Sequence, residues 1–493
     1  MRGLVIAGFA VAALLLGGCA VGPDFTRPDA PPVDRYDHDA TPTATADSPG
    51  PAGAAQHFTF GRDIPGEWWT LFQSPALNTL ITEAIADNPD LETAEAALRQ
   101  AHELTLAGEG AFFPTLQAGF SASRNKTPTG SLSPATSTGN PYYSLYTPQL
   151  SVAYTLDVFG GTRRQVEALE AQEDEQRAQL EAAYLTLTAN LVAAAVTEAA
   201  LRGQIAATGD IIAGQREALD ILRRQQGLGQ AAGSDVAAQE AALAQAESTL
   251  PPLQKALEQQ HHLLAVLTGH FPSERSAPTF DLASLRLPQN LPVSLPSRLV
   301  EQRPDIRLAE AQLHAASAEI GVATANMLPQ ISLSANVGSS ALQAASLFGP
   351  GTSFFSIAGN VAQTLFDGGT LLHRKRAADA AFDQAAAQFR STVLNAFQNV
   401  ADVLRAVQSD ADALRAATAS EQAASTSLDI TRRQLSLGAV NRLALITAEQ
   451  AYAQAHLNRV QAEAARFADT AALFQALGGG WWNRNDAAAP VAR

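Results

Sequence analysis

The sequence predicts an α+β chain made of two copies of one unit, each running helix, strand, strand, long helix, tip, helix. Three observations carry that prediction. The first is a pair of twin segments about 209 residues apart: Leu219-Asp220-Ile221-Leu222-Arg223-Arg224-Gln225-Gln226-Gly227-Leu228-Gly229 and Leu428-Asp429-Ile430-Thr431-Arg432-Arg433-Gln434-Leu435-Ser436-Leu437-Gly438. The second is period-two apolar alternation in four stretches, two in each copy. The third is a pair of Pro-free helical patterns of about 65 residues, each running up to a Gly. An internal repeat constrains architecture before any local propensity is weighed.

The repeat extends beyond the tips. Asn88-Pro89-Asp90-Leu91 matches Arg303-Pro304-Asp305-Ile306, and the helical stretches that follow share one phase, with Ala94, Glu95, Ala96 and Leu98 against Ala309, Glu310, Ala311 and Leu313. Phe112-Phe113-Pro114-Thr115-Leu116 matches Met327-Leu328-Pro329-Gln330-Ile331, and Thr155-Leu156-Asp157-Val158-Phe159-Gly160-Gly161 resembles Thr364-Leu365-Phe366-Asp367-Gly368-Gly369. Pro and Gly agree along with the apolar positions, so shared Ala-rich composition does not account for the match.

The 493 residues carry a net charge of −15, which argues against a nucleic-acid partner. The only cysteine is Cys19. Before it come a basic start at Arg2, a charge-free apolar run from Leu4 to Leu16, and Gly17-Gly18. That order describes a secretory signal over 1–18, too short to span a bilayer as an ordinary helix. Leu16-Gly17-Gly18-Cys19 resembles a bacterial lipobox, which implies a covalent lipid on Cys19 and no other cofactor. Residue Ala20, in place of Asp, resembles the outer-membrane sorting pattern. Residues 19–62, rich in Pro, Ala, Asp and Thr, read as an extended tether.

Repeat 1 is placed at 63–270 and repeat 2 at 299–482. In the first, Leu116, Ala118, Phe120 and Ala122 alternate with polar or small residues, as do Leu150, Val152, Tyr154, Leu156 and Val158. In the second, Ile331, Leu333, Ala335 and Val337 form one apolar phase, and Phe355, Ile357, Val361 and Leu365 the other. A transmembrane β-strand needs about 9–11 residues of this alternation, and a soluble sheet with one wet face shows the same pattern. Four strands do not close a barrel; two copies would supply about eight and three about twelve, between which the count does not choose. Ser, Thr, Pro and Gly in 124–147 and 338–353 read as outer loops.

Long helices are predicted over Thr162–Gln226 and Thr370–Ser436, rods of roughly 100 Å each. Phe389, Val393, Ala396, Val400, Val403 and Val407 follow heptad spacing, as do Leu180, Tyr184, Leu187, Leu191 and Ala194, with Glu198 breaking the pattern. Gly229 and Gly438 are expected in left-handed conformation, with Ser234 capping the first returning helix. Pro272, Pro278, Pro288, Pro292 and Pro296 mark 271–298 as a linker, and 483–493 reads as a disordered tail. His261, His262 and His270 lack zinc-site spacing and read as solvated helix histidines; no catalytic constellation stands out.

Glu67-Trp68-Trp69-Thr70-Leu71-Phe72 followed by Ser74-Pro75-Ala76-Leu77-Asn78-Thr79-Leu80-Ile81 resembles the start of outer-membrane efflux lipoproteins of the TolC and OprM type, including the NodT branch. Gln302-Arg303-Pro304-Asp305-Ile306, Leu328-Pro329 and Leu477-Gly478-Gly479-Gly480-Trp481 match the same family. The resemblance implies a trimer with one twelve-stranded transmembrane β-barrel, continued by a long periplasmic α-helical barrel. It implies an outer-membrane exit duct, not an enzyme, that works with a periplasmic adaptor and a pump of the resistance-nodulation-division type to export small toxic molecules. In the family the hairpin tips close the tube and meet the partners, and an acidic ring at the constriction is common. Here the matching position is Val440, within Gly438-Ala439-Val440-Asn441-Arg442, so apolar packing with salt links from Arg432, Arg433 or Arg442 is the expected closure. Asp235, at the first tip, is either an acceptor in such a link or a helix N-terminal residue. Arg163, Arg164, Arg374, Lys375 and Arg376 follow the strands and are candidates for lipid head-group contact. A duct for type I protein secretion and a non-conducting coiled-coil lipoprotein bridging the envelope are the competing readings.

Overall fold

A computed structural model describes residues 20–38, 42–50, 52–126, 142–274 and 278–484. Cys19, the signal segment and most of the first outer loop lie outside the described residues. The chain forms two compact units. One holds the chain through Arg27, Gln100–Glu175 and Ala309–Gln388; the other holds Pro28–Arg99, Gln176–Leu308 and the chain from Phe389 on.

In order, the elements are β1 (His57–Phe60), α1 (Pro75–Asp87), α2 (Pro89–Glu109), β2 (Thr115–Lys126), β3 (Tyr142–Leu156), α3 (Gly161–Gly227) and α4 (Gly233–Leu267). Then follow β4 (Asn290–Val293), α5 (Pro296–Gln302), α6 (Pro304–Ala325), β5 (Gln330–Ser339), β6 (Ser353–Ala362), α7 (Thr370–Ser436) and α8 (Arg442–Ala476). The duplication is exact in the hairpins: α3 and α7 both have 67 residues and α4 and α8 both have 35. Proline begins α1, α2, α5 and α6, where its fixed φ suits a helix start and its missing N–H costs nothing.

The first unit is built on an antiparallel sheet in the order β2-β3-β5-β6. Directly paired residues share a face, so the register turns sequence alternation into rows. Leu116, Val152, Ala335 and Ile357 form one apolar row across all four strands, and Ala118, Leu150, Val337 and Phe355 form another. On the opposite face lie Gln117, Ser151, Asn336 and Ser356. Among the described residues nothing covers the apolar face at the edges: Phe355 is 78% exposed and Ile357 81%. Among the described residues β2 pairs only with β3 and β6 only with β5, so within them the sheet has two free edges. The strands stop at Leu156 and Ala362, short of Val158 and Leu365, because Asp157 and the glycines after Asp367 turn the backbone into the next helix.

In the second unit the signature motifs meet. Trp68 stacks on Phe474 with ring centroids 5.3 Å apart, and Phe72 packs on Phe467. Gly479 passes so close to Leu185 that an added Cβ would lie 2.3 Å from it. Trp481 donates its indole N–H to the Gln302 carbonyl at 2.7 Å, and Arg303 holds Asp305 while donating to the Ala476 carbonyl at 2.6 Å. Three stretches far apart in sequence therefore form one core.

Several expectations need correction. The 19–62 segment is not a free tether: β1 pairs in parallel with β4, and Gln56 and Phe58 are buried. Arg466, fully buried, donates to the carbonyls of Ala52 and Ala54, to Thr45 Oγ1 and to Gln56 Oε1. The 271–298 linker likewise carries the buried Phe280, Leu285, Leu291 and Val293. The expected tail starts too early, because Asn483 donates to the Ile64 carbonyl at 2.7 Å and Arg484 pairs with Glu181 at 2.9 Å over the Tyr184 ring. On α7 the buried stripe runs Phe389, Val393, Ala396, Val400, Leu404 and Val407, with Leu404 replacing the expected Val403. A four-residue step at that point keeps the stripe closer to the 3.6 period than a strict heptad would.

Candidate functional site

The two tips are built alike. After α3, the Gly229 N–H donates to the Gln226 carbonyl at 2.9 Å and the Gln230 N–H to the Gln225 carbonyl at 2.8 Å. After α7, Gly438 donates to Leu435 and Ala439 to Gln434, both at 2.9 Å. These paired bonds satisfy orphan carbonyls at the helix ends and require a left-handed residue, here Gly229 at φ 74° and Gly438 at φ 72°. Each glycine follows a strongly exposed leucine, Leu228 or Leu437. Arg224 and Arg433 occupy the last turns of α3 and α7, where a cation complements the helix dipole.

Returning helices start differently at the two tips. Asn441 caps α8 with its side-chain oxygen on the Ala444 N–H at 2.9 Å. Ser234 does not cap α4; the helix begins at Gly233, and Asp235 accepts from the Ala232 N–H at 3.2 Å. That bond is a helix-start role for Asp235.

The tips touch each other. Leu219, Leu222 and Val236 form a small apolar cluster against which Leu443 of the second tip packs. Beside it, Arg442 Nε donates to Glu217 Oε1 at 2.9 Å, and Nη2 donates to the same oxygen. Arg223 reaches Glu240 at 2.8 Å, and Arg432 lies 3.6 Å from Asp429 and 3.7 Å from Glu449. Arg433 is exposed and Val440 is half-buried. The arrangement is therefore an apolar contact flanked by exposed ion pairs.

The strand-to-helix junctions separate the five candidate basic residues. Asp157 accepts from the Thr162 and Arg163 N–H groups at 2.9 and 3.0 Å, and the Arg163 side chain folds back onto it. Asp367 plays the same part for α7, accepting from Gly369 and Leu371 at 2.8 Å each. The bond from Leu371, with the others, holds the Asp367 carboxyl below its ordinary pKa. Lys375 pairs with Asp379, while Arg374 and Arg376 are exposed. Arg164 corrects the expectation: it is buried, pairing with Asp24 and Glu167, and does not face a head group. The Asp157 and Asp367 caps were in plain view in the repeated Thr-Leu motif, with the Gly pair after each as the signal.

Sequence reasoning also missed Glu198. It is fully buried, accepts from the Phe280 N–H at 2.6 Å, and faces Arg202 and His261. The break in the apolar spacing marks the residue that holds the linker, and His261 is its partner, not a solvated residue. Among the described residues no group of three or more His, Cys, Asp or Glu is arranged to hold a metal ion.

A duplicated helical-hairpin chain carrying an antiparallel sheet with one apolar and one polar face is the class of an outer-membrane channel protein. The family profile described as outer membrane efflux protein matches residues 80–270 and 295–479, and the chain belongs to that family. It is 29% identical to the toluene efflux pump outer membrane protein TtgC of Pseudomonas putida, over 96% of this chain and 95% of the relative. It is 27% identical to the cation efflux system protein CusC of Escherichia coli, over 95% of this chain and 97% of the relative. The solved outer-membrane channel OprN superposes with a TM-score of 0.81 at 28% identity, covering 94% of this chain and all of that one. The chain is thus an outer-membrane efflux protein, and its family is one of channels, not of enzymes.

Proposed function

We propose that three copies of this chain form one twelve-stranded barrel in the outer membrane, the exit duct of a tripartite efflux system. The sheet carries this reading. Among the described residues its two edges are free and its apolar rows are exposed, and an open edge is not tolerated in hydrocarbon. Neighbouring copies would pair β2 with β6 and close the sheet, with polar rows lining a water-filled lumen. Lipid on Cys19 would anchor each copy, and Arg374 and Arg376 would meet head groups. A periplasmic adaptor and a resistance-nodulation-division pump would dock at the tips, where Leu228 and Leu437 stand exposed, and open them. Toluene and cation export by the relatives supports small toxic molecules as the cargo. The duct does no chemistry and needs no cofactor; energy comes from the pump.

Purified protein would be weighed intact by native mass spectrometry and reconstituted in planar bilayers. A three-chain complex that passes ion current supports the reading. A stable monomer without current would overturn it in favour of an envelope-bridging lipoprotein. A photo-crosslinking residue at Asn441 then identifies the partner: an efflux adaptor or pump is expected, and a secretion adaptor would move the cargo to polypeptides.

A further inference from the structure

The first described residues are strapped to the junction between β3 and α3. Arg164, in the first turn of α3, is only 4% exposed. Its Nη2 donates to Asp24 Oδ1 at 2.6 Å, its Nη1 to Glu167 Oε2 at 2.7 Å, and its Nε to the Val21 carbonyl at 3.2 Å. The Val21 N–H donates to the Phe159 carbonyl at 3.0 Å. Phe25 stacks on His314 with centroids 4.3 Å apart, and Arg27 grips Glu310 with contacts of 2.9 and 3.0 Å. Backbone contact is as close as glycine allows. A Cβ at Gly160 would lie 2.5 Å from the Ala20 Cα, and one at Gly22 would lie 2.5 Å from the Gly321 Cα.

A free tether would satisfy its backbone with water and bury no charge. This segment buries the Arg164 guanidinium to hold residues 20–27, so its position is specified. Ala20 is bonded to Cys19, one Cα–Cα step of about 3.8 Å away. The described strap therefore starts at Ala20 beside Gly160, four residues beyond the end of β3 at Leu156.

We propose that the 20–27 strap, held by Arg164, is a positioning site for the N-terminal acyl chains, setting them against the foot of the sheet. The last apolar row there is Leu156, Ile331 and Val361. The acyl chains then fill the bilayer boundary at one fixed place on each protomer instead of wandering on a flexible leash. This rests on the lipoprotein reading of Cys19. Arg164 and Asp24 act through the strap and are positioning residues.

The test is to grow cells on a diazirine-bearing fatty acid that enters the N-terminal lipid. Membranes are irradiated, the full-length protein is purified, and adducts are mapped by mass spectrometry. Adducts on β3, β5 or β6 are expected in the wild-type chain. Arg164→Gln and Asp24→Asn should shift them from protein to phospholipid. Asp24 has an exposed side chain, so its variant keeps the fold even if Arg164→Gln does not. Wild-type adducts on phospholipid alone, or the same adduct map in wild type and Asp24→Asn, would overturn the positioning role. An N-terminal peptide carrying no label would overturn the lipoprotein reading, and this proposal with it.

Discussion

Replacing Arg442 by Ala tests whether the tip contact holds the channel closed. The perturbation removes the pair with Glu217 but leaves Leu443 packed on Leu219, Leu222 and Val236. Both side chains are more than 40% exposed, so the pair contributes about 0.5–1 kcal/mol and its loss leaves no buried charge. One protomer opening alone would then gain roughly 2- to 5-fold in open population. In the proposed trimer, three tips opening together would gain roughly 1.5–3 kcal/mol, or about 10- to 150-fold, since about 1.4 kcal/mol is a factor of ten. Open probability in planar bilayers at about 0.1 M salt measures this directly. Glu217→Gln should reproduce the effect, and the double variant should add little to either single change. At about 1 M salt the difference should shrink, because the Debye length falls to about 3 Å. An unchanged open probability at low salt, or a rise that persists undiminished at high salt, would refute an electrostatic latch.

Two further outcomes concern the helical region. Burial, then the hydrogen bond and charge of the neighbouring Asp469, push the Asp410 carboxyl up to about 7, with Arg466 opposing. A raised carboxyl pKa means that the folded state holds the proton, so this contribution is present in acid and lost as pH rises through about 7. Asp410→Asn should therefore raise the melting temperature at pH near 8 by the equivalent of roughly 1 kcal/mol, screened because the group is only partly buried, and change little near pH 5. Equal melting shifts at both pH values would count against it. Arg466→Met should cost about 3–5 kcal/mol, since the Ala52 and Ala54 carbonyls lose a buried charged donor. Limited proteolysis should then cut within 42–56 well before global unfolding; protection equal to wild type would contradict the anchoring role.

The legible parts of this fold are those written in near neighbours. Helix and strand periods are set by residues two to four positions apart, so α7 begins and ends where the pattern does, at Thr370 and Ser436. The glycine ends of the twin helices are legible for the same reason: only local backbone geometry decides which residue adopts positive φ. The tips were locatable as candidates, but the Arg442 partner was not. Glu217 lies 225 residues earlier on another helix, and no spacing rule reaches it.

By itself, then, the sequence determined the duplication, the strand and helix types, the faces that are apolar and the places where the chain reverses. Tertiary structure decided which charges are spent. Arg164 looked like one of five equivalent surface cations until the strap brought Asp24, 140 residues away, onto it. No sequence spacing points from Arg466 to Gln56, 410 residues away, which accepts from it in the fold. Glu198 looked like a flaw in a heptad until the linker laid Phe280 against it. The cause is common to all three. A charged side chain is indifferent to its sequence neighbours when water can solvate it, and only packing that removes the water obliges it to find a particular partner.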